Sequence, residues 1–139
     1  MSITDSPTWQ RLEARWAEGF EQLHAEEQEA IALWWLEAET MNGTLDQYFW
    51  NSAGDQALIA LRGLHSLGMP VTLLAFSAAL ALFGEHYPCE REARMQVLET
   101  LEAQHGDTLF LAPSRVIQDL PEDFVQAALD RLQVLYATL

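Results

Sequence analysis

Lysine is absent from this chain, and its 139 residues include a single cysteine, Cys89. A lone cysteine excludes an internal disulfide and the cross-linked scaffold of small secreted domains. There is no Cys-x-x-Cys, no His-Glu-x-x-His, no phosphate-binding glycine loop and no dinucleotide fingerprint. His86 and Cys89 have the spacing of two metal ligands but lack the companions a four-donor site needs. As a nucleophile, Cys89 would need a base and an orienting group. Glu85 and His86 beside it in a loop are poor grounds for either, so an inert thiol is the plainer reading. His24, His65 and His105 stand alone. These gaps argue for a non-enzymatic protein with no metal and no cofactor. The longest apolar run, Val71 to Phe83, is broken only by Thr72 and Ser77 and is too short to span a bilayer. The first residues have neither the basic nor the apolar part of a secretory signal. A cytoplasmic protein without membrane contact is expected.

Positive charge is the scarcest commodity. Seven arginines face 21 carboxylates, for a formal net charge of −14. Residues 1–60 hold 11 acids and 2 arginines, and residues 61–139 hold 10 acids and 5 arginines. Such a charge repels phosphates and excludes direct nucleic-acid binding. It favours a basic protein partner and speeds encounter with one. Solubility alone is the plain alternative.

What is present is helical periodicity. No stretch alternates at period two, so a sheet is not expected. The chain reads as one all-α domain, a compact bundle of six or seven helices around a buried central helix. Ser6-Pro7 is a helix entrance, followed by a stripe of Trp9, Leu12, Trp16, Phe20 and Leu23. A second helix is predicted from Ala25 to Met41, with Ile31, Trp34, Trp35, Ala38 and Met41 inward. Adjacent Trp34 and Trp35 point about 100° apart, so one of them reaches a cleft or a partner surface. Gln56 to Leu67 reads as a third helix, with Leu58, Leu61, Leu64 and His65 inward. The apolar helix from Pro70 to Phe83 is predicted to be the most enclosed element. Glu90 to Gln104 has Met95, Leu98 and Leu101 facing in and Glu92, Glu99 and Glu102 facing out. Thr108 to Leu120 reads as a loop with one short helix, and Leu120-Pro121-Glu122-Asp123 opens the last helix.

Between the second and third helices lies Glu39 to Asp55, the stretch around which the rest is arranged. Asn42-Gly43 reads as a helix stop through the left-handed conformation. Thr44 then caps a short helical turn, with Gln47 three residues on as in a capping box. Leu45, Tyr48, Phe49 and Trp50 ride on that turn and read as core. Ser52 or Asp55 is the next cap, and Asp46 sits in a first turn, where the helix dipole favours it.

The pattern Glu39-x-x-Asn42-Gly43-x-x-x-Gln47-Tyr48-Phe49-x-Asn51-x-x-Gly54-Asp55 resembles the signature of a family typified by bacterial DNA mimic proteins, which are small, acidic and all-helical. The resemblance continues more loosely to Gly68. Family members usually carry a second glycine after Asn-Gly, where this chain has Thr44. The resemblance implies an all-α fold. For the typifying member it implies a function without chemistry, in which surface carboxylates stand in for DNA phosphates on a DNA-binding face. The motif itself reads as architectural and assigns no mimic residues. Those are chosen on charge: Glu13, Glu18, Glu21, Glu26, Glu29 and Glu37, expected as acidic rows on the first two helices. Reversing Glu26, Glu29 and Glu37 to arginine is expected to abolish partner binding with the fold intact. The expected partner is a basic DNA-binding protein. The alternative is a basic toxin such as a nuclease, held by an immunity- or antitoxin-type inhibitor. A second copy of the chain is a further candidate.

Overall fold

The structure, a computed structural model, describes residues 2–139. Among them are seven α-helices and no strand: α1 (Pro7–Ala17), α2 (Ala25–Trp50), α3 (Ala57–Ser66), α4 (Pro70–Ala81), α5 (Arg91–His105), α6 (Leu111–Gln118) and α7 (Phe124–Thr138). Short 3₁₀ turns, Ile3–Asp5 and Ser52–Gln56, precede α1 and α3. No helix among the described residues is long and apolar enough to cross a membrane.

The helix at the centre is α2, which packs against α3, α5, α6 and α7. Its buried face runs from Ala30 to Leu33 and on through Leu36, Leu45, Tyr48 and Phe49. The expectation that the Pro70 helix is the most enclosed is overturned. In α4, Leu74 is 74% exposed and Val71 49%. Continuous apolarity misled because it gives no direction. Only Thr72, Phe76, Ala79 and Leu80 of α4 are buried, with Leu73 packed against the core at its edge.

Helix α1 starts as expected, with Ser6 Oγ accepting from Trp9 N–H at 3.1 Å and Pro7 in the first turn. It ends earlier than its apolar stripe suggests. Gly19 takes φ +134°, and Gln22 Nε2 donates back to the Arg15 and Gly19 carbonyls at 2.9 and 2.8 Å. That side chain satisfies carbonyls which a finished helix leaves open. In α3 the inner face is rotated from the expected one. Ala57, Ala60, Gly63 and Leu64 are buried, while Leu58 and His65 are exposed. Small residues let α3 approach α2 closely. A Cβ on Gly63 would stand 3.0 Å from Leu33 and 3.1 Å from Glu29.

Candidate partner-binding surface

The motif stretch is, as expected, a break between two helical segments, which continue one another as α2 across a kink at Gly43 and Thr44. Gly43 is extended, and Thr44, not Asn42 or Gly43, takes positive φ, 65° with ψ −177°. That break frees the Thr40 carbonyl and the Leu45 N–H from the α2 ladder. Helix α6 satisfies both: Gln118 Nε2 donates to Thr40 O at 2.9 Å, and Leu45 N–H donates to Ser114 Oγ at 2.9 Å. Thr44 Oγ1 accepts from Asp46 N–H at 3.3 Å and donates to the Asp46 carboxylate at 2.7 Å. Gln47 does not complete a capping box. Its amide donates to Glu39 Oε2 at 2.6 Å and accepts from Asn42 Nδ2 at 3.1 Å. Asn51 Nδ2 donates to the same Glu39 oxygen at 3.0 Å. Glu39, Asn42, Gln47 and Asn51 thus lash the two halves of α2 across the kink. Gly43 lies beneath Gln47, where a Cβ would come within 2.9 Å of Gln47 Cβ.

The C-terminal end of α2 is closed by Arg94 of α5, which is fully buried. Its guanidinium donates to the carbonyls of Phe49 (2.6 Å), Asn51 (2.8 Å), Cys89 (2.8 Å) and Pro88 (3.2 Å). It also pairs with Asp55 at 3.0 Å. Asp55 is therefore a counter-ion, not the cap expected of it, and the first residues of α3 have no side-chain cap. Gly54 is held to glycine because a Cβ there would stand 2.9 Å from the Arg94 guanidinium and from Tyr48 O. Tyr48 and Phe49 are fully buried, with Phe49 ringed by Tyr48, Phe76, Phe83, Tyr87 and Phe110 at 4.9–6.3 Å.

A second polar junction joins α1, α2, α3 and α7. The buried Glu27 carboxylate accepts from Arg15 (2.5 and 2.9 Å), Tyr136 OH (2.7 Å) and His24 N–H (2.9 Å). Burial pushes this carboxyl up, but the Arg15, Tyr136 and His24 donors outweigh it and bring it down from 4.5 to about 2. Glu29 is also buried and accepts from Arg62 (2.6 Å), Arg131 (2.9 Å) and Ser66 (2.8 Å). Burial raises its pKa too, yet Ser66 and the two arginines leave it lowered overall.

The six carboxylates chosen on charge meet different fates. Glu13, Glu18 and Glu21 are exposed, although Glu18 and Glu21 lie beyond the end of α1 and form no helical row with Glu13. Glu26 and Glu37 are half-buried. Burial, with Asp123 nearby, raises Glu37 above the ordinary carboxylate range. Glu29 is no candidate, because it is buried and Arg62 and Arg131 already neutralise it. Its reversal to arginine would set three guanidiniums together and cannot leave the fold intact.

Elsewhere the surface is strongly anionic. Fifteen carboxylates are exposed against three arginines. Six of the seven arginines have internal work: Arg15, Arg62, Arg94 and Arg131 in ion pairs, Arg91 on the Trp50 carbonyl, and Arg11 over the Tyr136 ring at 4.3 Å. On α5, Glu92, Glu99 and Glu102 are exposed as expected. Trp34 packs on Trp9 at 5.2 Å, while Trp35 and Trp16 line an open groove of about 580 Å³ with Glu39, Asp55 and Arg91. Sequence reading missed Arg94, Ser114 and Gln118. For Arg94 a signal existed: it stands four residues before Leu98, on the inner face of α5. Ser114 and Gln118 gave none, because their partners are freed only by the kink.

No curated protein and no solved structure shows significant similarity to the chain. The model of the family described as DMP19-like protein matches residues 21–138, from the turn before α2 to the end of α7. That span includes the Glu39–Asp55 kink, the buried arginine that closes it and both carboxylates of the polar junction, and the family's name suggests a DNA mimic role. The chain belongs to the DMP19-like protein family.

Proposed function

We propose that the protein is a non-enzymatic acidic binding protein that occupies the basic DNA-binding face of a partner by DNA mimicry. The observation that carries this reading is the disposal of the arginines. Internal contacts engage six of seven, so 14 of the 15 exposed carboxylates, all but Asp55, are left without an ion pair among the described residues. Phosphates rise about 3.4 Å apart along a strand. Carboxylates three residues apart on a helix, such as Glu99 and Glu102, stand about 5–6 Å apart at Cβ. Exposed acids on α5 can therefore approximate a strand's charge ladder. The proposed surface takes Glu92, Glu99 and Glu102, together with Glu13, Glu18, Glu21, Glu26 and the half-buried Glu37, and leaves out Glu29.

The test is competition. A DNA-binding protein retained by the immobilised chain should be displaced by duplex DNA and released steeply as salt rises, because an exposed ionic interface is screened beyond about 10 Å at 0.1 M. A complex in which the partner still binds duplex DNA refutes mimicry.

A further inference from the structure

Between the kink of α2 and the C-terminal half of α5 lies a cleft of about 540 Å³. This is the size of a pocket that takes one or two side chains or a small ligand. Its floor is apolar, made by Leu98, Leu101, Leu109 and Phe110. Trp50 forms a wall, with 39% of its surface exposed. Three exposed carboxylates, Asp46, Glu102 and Asp107, stand on the rim. None of the three takes part in an ion pair among the described residues, and no arginine lines the cleft.

The groove lined by Trp16 and Trp35 differs on this point. It also has two carboxylates, but Arg91 lines it and Asp55 is bridged to Arg94. That groove brings its own cation. The α2–α5 cleft lacks one, and its indole wall and apolar floor are surfaces a purely ionic contact would not use.

We infer that the α2–α5 cleft docks a cationic amphipathic segment of the protein partner, one carrying an apolar side chain beside an arginine or lysine. The apolar side chain covers Leu101 and Leu109, the floor residues that keep part of their surface in solvent. The cation lies against the Trp50 indole face, which attracts it through the ring quadrupole, within reach of the rim carboxylates. Buried aromatic and arginine anchors commonly dominate protein interfaces. The cleft would then fix register, while the remaining acidic surface supplies steering. The inference rests on the reading of the partner as a basic protein and adds a specific anchor to it.

The test uses two dye-labelled synthetic peptides of equal length and charge, one alternating arginine with leucine, the other arginine with serine. Binding to the full chain is followed by fluorescence anisotropy at about 0.15 M salt, where diffuse attraction is screened. The leucine peptide should bind at least about tenfold more tightly. That margin should vanish in the Asp46→Asn, Glu102→Gln, Asp107→Asn triple variant and in Trp50→Ala. It should survive in Glu85→Gln, Glu90→Gln, Asp119→Asn, three exposed carboxylates outside both the cleft and the proposed surface, which removes the same charge elsewhere. The triple neutralisation is nearly isosteric, so it decides the matter even if Trp50→Ala fails to fold. Equal affinity for both peptides, or equal loss in the control triple, overturns the inference. So does self-association that the cleft triple abolishes while peptide binding is absent, which would assign the cleft to a second copy. Failure of DNA competition with the peptide margin intact would sink mimicry and leave the cleft; the reverse would sink the cleft alone.

Discussion

Two acidic regions of this molecule are built on opposite rules. At the junction of α1, α2, α3 and α7, Glu27 and Glu29 are buried, Glu27 among donors that include Arg15 and Glu29 among donors that include Arg62 and Arg131. At the α2–α5 cleft, Asp46, Glu102 and Asp107 are exposed, no arginine lines the cleft, and none of the three is in an ion pair among the described residues. With so few cations to place, the chain commits three of its arginines to two glutamates and none to the cleft. Carboxylate count alone is therefore a poor guide to a binding face. An acid needed for folding is one the partner cannot use, and the reverse also holds.

The contrast breaks most severely at Glu27. Glu27→Ala removes a buried carboxylate and strands Arg15 and the Tyr136 hydroxyl, and losing one member of a buried pair costs about 3–5 kcal/mol. Glu29→Ala should lie at the low end of that range, about 3 kcal/mol, because the Arg62 and Arg131 side chains keep 49% and 26% of their surface in solvent. Denaturant melts check both. The cleft triple, Asp46→Asn, Glu102→Gln and Asp107→Asn, should shift stability by less than about 0.5 kcal/mol, since it touches no buried pair. A large loss in that triple would erase the distinction between the two regions.

Acid titration separates them next. Glu27 has its folded pKa lowered from 4.5 to about 2. A lowered carboxyl stabilises the fold above its unfolded pKa and loses that contribution as pH falls through the folded value. The window thus runs from pH 4.5 down to about 2, and the loss is about 3 kcal/mol. Glu37 has the opposite sign. Its raised pKa means that protonation on acidification relieves a burial cost. The difference between wild type and Glu27→Gln isolates the buried pair, and melting temperatures across this window should converge as pH approaches 2. Curves that stay parallel throughout would mean that the Arg15 pairing is not what lowers this carboxyl.

The helical class, the break near residues 42–44, the burial of Tyr48 and Phe49 and the outward face of α5 were legible in the sequence. Each rests on local periodicity or on residues with one conformational use. What could not be read was direction in segments that are apolar all round. The Pro70 helix has no polar face to orient it, so its enclosure was overestimated. Partnering was equally hidden. Glu26, Glu29 and Glu37 look alike as acids spaced along one helix, and only the return of α3 and α7 brings Arg62 and Arg131 to Glu29. Arg94 was the exception, an arginine at helical spacing from Leu98 and Leu101, whose inward position could have been inferred.

The finest contrast lies at the edge of the cleft, in Thr44. Its φ of 65° with ψ of −177° belongs to a region that is essentially restricted to glycine. Thr44→Gly and Thr44→Ala both delete the hydroxyl that caps Asp46 N–H, so that loss cancels between them. In an ordinary helix interior, glycine would be the weaker of the two by about 0.5–1 kcal/mol. Here the order should reverse, with Thr44→Gly more stable than Thr44→Ala by about 1–2 kcal/mol, because only glycine escapes the Cβ clash. Chemical denaturation of the two variants side by side measures that sign. The usual order would mean that the kink relaxes without a positive φ, and the α6 side chains Ser114 and Gln118 would then not be needed to satisfy the backbone groups it frees.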